Sequence, residues 1–214
     1  MSKLTRTTSL GHRTARAKWR QAVLWGGGIG LFAAIGIAHA DSGTLTFNGT
    51  ILPGTCDVAL DKPTIAFGSV DPALIISGGQ WASVGVTSFA LILSGCTGVG
   101  AASLTPGVKV EGTLSTDPGV SGNQWLFKTG GTSKGFGVVV YNSTPAKPGV
   151  NEAGNGEIIN IPQFGKGTTL PAAGTKIPLS AAVSGGRAAW FGTNKVNLKA
   201  GDLTAAVTFT FAYR

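Results

Sequence analysis

The chain has 214 residues and a net charge of +8, is rich in glycine (34 residues), and has only 12% charged residues. Six of its seventeen Lys and Arg precede residue 41 while all nine acids follow it, so the chain from Asp41 onward carries only +2. That balance leaves no basic patch and excludes nucleic-acid binding as the main role. The shortage of Leu, Ala, Glu and Lys runs argues against a helical fold.

The first forty residues read as a secretory signal peptide. Lys3, Arg6, Arg13, Arg16, Lys18 and Arg20 form a basic head, an apolar run follows from Ala22 to Ile37, and Ala38-His39-Ala40 supplies small residues at a cleavage site. The sixteen-residue run is short for a membrane span, which needs about 20 residues. Cleavage after Ala40 removes both histidines, His12 and His39. The mature chain then has no Ser-His-Asp or Cys-His machinery and no His-based zinc site. A carboxylate-pair hydrolase remains open in principle, with Glu111, Glu152, Glu157 and the aspartates as candidate acids, though the sequence establishes no pairing among them.

The first segment after the cut is T-L-T-F-N-G-T-I-L, residues 44–52. Leu45, Phe47 and Ile51 alternate with Thr44, Thr46, Asn48 and Thr50, and Gly49 leaves a gap in the apolar row. Next come Cys56 and T-I-A-F at 64–67, then V-G-V-T-S-F-A-L-I-L at 84–93, which runs into Cys96. An exported chain with two cysteines is expected to pair them, Cys56 with Cys96.

Further period-two segments follow, separated by Gly, Pro, Asn and Ser. They are V-K-V-E-G-T-L at 108–114, G-F-G-V-V-V-Y at 135–141, E-I-I-N-I at 157–161 and I-P-L-S-A-A-V at 177–183. Pro178 pushes the last of these towards a sheet edge. The closing L-T-A-A-V-T-F-T-F-A-Y-R, 203–214, puts Leu203, Ala205, Val207, Phe209, Phe211 and Tyr213 on one face. Residues 144–156 and 100–107 read as loops. The pattern is that of an all-β sandwich or barrel.

Other motifs carry less. G-G-T-S-K-G-F-G at 130–137 lacks the spacing of a phosphate loop and reads as a turn. Asp57 and Asp61 lack the other ligands of a calcium loop. No cofactor or metal site is expected. Trp81, Trp125 and Trp190 fit either core positions or a sugar-stacking surface.

Taken in order, the opening strand before Cys56, the second cysteine in I-L-S-G-C at 92–96, G-F-G-V-V-V-Y, and a C-terminal strand with tyrosine second from last resemble the pilin subunits of chaperone–usher (type 1-like) fimbriae. The resemblance implies an incomplete immunoglobulin-like β-sandwich, completed by a donor strand from a neighbouring subunit. It divides the chain into a signal peptide at 1–40, a donor-strand extension at 41–54 and a pilin domain at 55–214. It implies that Leu45, Phe47 and Ile51 fill a neighbour's groove, with Gly49 where the groove is too shallow for a side chain. Val207, Phe209, Phe211 and Tyr213 would form the acceptor strand, and the carboxylate of Arg214 would be held by a periplasmic chaperone. The implied function is structural, not enzymatic: a subunit exported through the periplasm and an outer-membrane usher to a surface fibre, with other pilin subunits as partners. A minor or adaptor pilin, or a lectin-like sandwich that binds a host glycan or surface receptor, is the alternative.

Overall fold

The computed structural model describes residues 48–120, 123–162, 164–187 and 198–214, and all of these except Asn48 belong to one compact unit, Gly49–Arg214. The elements are β1 (Thr55–Leu60), α1 (Pro72–Gly78), β2 (Ser83–Thr97), β3 (Pro106–Gly112), β4 (Gly137–Tyr141), β5 (Ile158–Asn160), β6 (Lys176–Ser184) and β7 (Val207–Tyr213). They form an all-β sandwich of two antiparallel sheets, ordered β1-β2-β6-β4 and β5-β3-β7.

Alternation explains the main core. Phe89, Leu91 and Leu93 of β2 and Ile177, Leu179 and Ala181 of β6 face Val108 and Val110 of β3 and Ile159 of β5, all buried. The β-branched run of β4 serves two cores. Val138 and Val140 face this cluster, while Val139 and Tyr141 face a second one containing Ile75, Val120, Leu126, Phe136 and Val183. Because both faces of β4 are covered, its sequence is a continuous apolar run rather than an alternation. Ile75 belongs to α1, a helix that the residue pattern does not lead one to expect. Its signals are local: Asp71 caps it by accepting from the Ala73 N–H at 2.9 Å, and Pro72 opens it.

Two expectations about the strands need correction. Strand β6 is central, between β2 and β4, despite Pro178. Pro178 stands opposite Ala90, whose N–H and C=O point the other way, to the Asp61 side chain at 2.7 Å and the Asp61 N–H at 3.0 Å. On its other side β6 is paired with β4 only from Ser180 to Ser184. The missing proline N–H therefore falls where no ladder bond is required. Residues 64–67 are not a strand either. Ile65 and Phe67 keep their alternation but find no backbone partner among the described residues.

Cys56 and Cys96 form a disulfide between β1 and β2. The Gly-rich stretch 130–137 is not the expected turn but an irregular loop leading into β4, bridged from Gly130 to Thr204 and from Lys134 to Lys199, and it wraps a carboxylate of its own chain. Asp117 accepts from Lys128 Nζ at 2.5 Å, Lys134 Nζ at 3.2 Å and the Gly135 N–H at 3.1 Å. Burial raises the Asp117 pKa, but the hydrogen bonds from Lys128, Lys134 and Gly135 outweigh it and hold the carboxyl below its ordinary value.

Candidate functional site

The site is a seam between the two sheets, beside β7. Strand β7 pairs with β3 on one side, placing Phe209 next to Val110 and Phe211 next to Val108. Its other side faces β1 and the chain that follows it, yet among the described residues no backbone hydrogen bond joins 55–70 to 203–213. An unpaired strand edge next to apolar side chains is a ready template for another strand.

Burial marks the same seam. Val108 and Val110 are completely buried, whereas Leu203, Ala205, Val207 and Phe209, which extend the same apolar row, remain half-buried. So do Leu60, Ile65 and Phe67 on the facing segment. Between these two rows lie two neighbouring hollows that share part of their lining. The first, of about 310 Å³, reaches Leu60, Phe89, Val140, Val207 and Phe209. The second, of about 680 Å³, extends past Phe67 to Ile75, Phe136 and Val183. Ile65, Phe67, Leu203 and Thr204 line both. Side chains of both core clusters thus line a groove formed by these adjoining hollows.

One end of the seam is closed. Phe211 and Tyr213 stack edge to face at 5.3 Å, and the Tyr213 hydroxyl donates to the Gly54 carbonyl. Arg214 exchanges backbone bonds with Thr105, its N–H donating at 3.0 Å and its carbonyl accepting at 2.8 Å. Phe89 and Phe209 meet at 5.9 Å where the first hollow begins.

Of the residues expected to form an acceptor strand, Val207 and Phe209 line the first hollow, while Phe211, Tyr213 and Arg214 lie at the closed end of the seam. Sequence reasoning did not assign the facing wall, Leu60 to Phe67, or the extension of the groove to Ile75. The alternation of Ile65 and Phe67 was the available signal. In the expected donor segment, Leu45 and Phe47 lie outside the described residues. Gly49 is exposed, a Cβ added there would meet no described residue within 4 Å, and Ile51 and Leu52 are 87% and 78% exposed.

The carboxylates serve local structure. Glu111 pairs with Lys109 at 2.6 Å, Glu157 accepts from the Gly154 N–H at 2.8 Å, and Glu152 accepts from the Gly149 N–H. Among the described residues no cluster of metal-binding side chains occurs, and no helix is long and apolar enough to cross a membrane. Trp190 lies outside the described residues.

A family profile described as fimbrial protein matches residues 45–214. Among solved structures, the P pilus rod subunit PapA is similar at 18% identity over 80% of this chain and 100% of its own, with a TM-score of 0.44. A chain from a chaperone–usher pilus, in a structure concerned with rod uncoiling, is similar at 20% identity over 82% of this chain and 97% of its own, with a TM-score of 0.48. No curated protein sequence matches.

Proposed function

This chain belongs to the fimbrial protein family and is a pilus subunit, and we propose that it polymerises head to tail by donor-strand exchange. The observation that carries this reading is the groove beside β7, where a backbone edge unpaired among the described residues and half-buried core side chains face each other across the seam. A strand inserted there gains a backbone ladder on β7 and buries its alternate side chains, which is recognition by strand addition.

The donor is the 41–54 segment of another copy. Leu45, Phe47 and Ile51 present three large apolar side chains at period two, each stabilising by about 1.5–3 kcal/mol when fully buried. Gly49 brings backbone alone to its place in the groove. Each subunit gives one strand and receives one, so the contact is heterologous, does not close, and grows a filament. Before assembly the same groove requires a temporary occupant, the role assigned to a periplasmic chaperone, with delivery through an outer-membrane usher. Residues 1–40 direct export.

Removal of residues 41–52 tests the proposal. The truncated subunit is expected to be exported and captured by its chaperone but to form no fibres by electron microscopy. Fibres of normal length from that variant would overturn it, as would an intact mature subunit that stays a stable monomer without any helper.

A further inference from the structure

Two Gln-Trp dipeptides, Gln80-Trp81 and Gln124-Trp125, lie far apart in sequence and meet in the fold. The two indole rings approach edge to face, with centroids 5.5 Å apart and planes at 79°. Neither ring joins the buried clusters, and both are half-buried at the surface. Neither indole N–H donates to any described residue, and the Gln80 and Gln124 amides, both exposed, are equally unengaged.

Trp81 holds its place in an unfavourable backbone conformation. Its φ is 64°, the one positive φ outside glycine among the described residues, and a bulky side chain is a genuine outlier there. The surrounding bonds enforce it. The Trp81 N–H donates to the Gly186 carbonyl at 3.0 Å, and its carbonyl accepts from the Ser83 hydroxyl at 3.1 Å, which is also bonded to the buried Tyr141 hydroxyl. Glycine would occupy this position freely. An outlier that the fold over-determines, carrying a ring only partly covered, points to a function for the ring.

We propose that the Trp81–Trp125 pair is a carbohydrate-binding site for a pyranose that presents one face of C–H bonds. The electron-rich ring faces attract such a surface, while the indole N–H groups and the Gln124 amide supply donors and an acceptor for its hydroxyls. The Gln124 side chain and Trp125 Nε1 both border Gly154, where an added Cβ would stand 3.2 Å from that nitrogen and crowd it. Gly149 adjoins Trp81, and its neighbour Val150, 76% exposed, extends the apolar rim. Neither tryptophan lines the groove beside β7. The site therefore stays available whether or not that groove is filled, and the inference does not depend on donor-strand exchange.

The test uses full-chain protein exported from cells, titrated with methyl β-D-galactopyranoside, methyl β-D-glucopyranoside and methyl α-D-mannopyranoside. Indole ¹⁵N–¹H NMR signals and tryptophan emission are the readouts. At least one glycoside should shift the Trp81 and Trp125 signals saturably, with a Kd of about 1–10 mM, the strength expected of about a dozen heavy atoms. Trp81→Gly should abolish the shift and keep the melting temperature within a few degrees, because glycine accepts the φ. Gln124→Ala should weaken binding several-fold at unchanged stability. No saturable shift with any of the three sugars would overturn the proposal. So would a shift that survives Trp81→Gly, an unfolded Trp81→Gly variant (the ring would then be structural), or indole shifts that follow protein concentration alone, which would make a second copy the occupant.

Discussion

Tyr213 donates its hydroxyl to the Gly54 carbonyl at 2.8 Å, tying the end of the last strand to the start of the first. The bond closes one end of the seam that opens into the apolar groove at Phe209. Burial raises the Tyr213 pKa, so the phenol remains a donor across the neutral range. Tyr213→Phe should destabilise the subunit by about 1 kcal/mol, the net worth of one such bond, as read from the shift of its urea midpoint. An unchanged midpoint would mean that packing alone closes this end.

Phe209 spans the mouth of the groove to reach Phe89. Full burial of phenylalanine is worth about 3–5 kcal/mol on truncation to alanine, and Phe209 is only half-buried. Phe209→Ala should therefore cost the isolated subunit roughly half of that amount, and more once the groove is filled. Thr208, exposed on the other face, is the control, with Thr208→Ala within about 0.5 kcal/mol of wild type. Comparing melting of fibre and subunit for both variants checks the difference.

A Cβ added at Gly49 would meet no described residue within 4 Å, so the subunit itself leaves room for a larger side chain there. Gly49→Leu is expected to leave export and chaperone capture normal and to block fibre growth. Electron micrographs showing fibres of wild-type length would remove this glycine from the donor role.

Asp117 makes stability depend on acid. Its folded pKa lies below the unfolded value, so its contribution is present above the ordinary carboxylate pKa of about 3.9 and fades as pH falls through the lower, folded value. Denaturation midpoints should drop at the acid end in the wild type and vary less in Asp117→Asn. Asp117→Ala should cost about 3–5 kcal/mol, because Lys128, 8% exposed, is left charged and poorly paired. Lys134, whose side chain is 46% exposed, should matter far less.

The Cys56–Cys96 disulfide closes a separation of 40 residues. Chain entropy predicts about 4 kcal/mol for a loop of that size. The paired Cys56→Ser, Cys96→Ser variant should lose about that much and should accumulate poorly after export, measurable by periplasmic yield and by denaturation in the presence of chaperone.

Much of the fold was legible in the residues because alternation is a local property. Leu203 to Tyr213, Val108 to Val110 and Phe89 to Leu93 each place every second side chain inward, and the fold keeps those faces. The exceptions had local causes that the period did not capture. Asp71 and Pro72 started a short helix by capping, and Pro178 entered a central strand at a place where its neighbour had already ended.

Alone, the sequence determined the all-β class, the two cysteines and the apolar row on the last strand, since each follows from composition or from a period of two along the chain. Only the tertiary structure decided what faces that row. It brought Leu60, Ile65 and Phe67 opposite Leu203, Val207 and Phe209 without a backbone ladder between them, and it set Trp81 against Trp125. Such pairings depend on how distant segments pack, which no local period encodes.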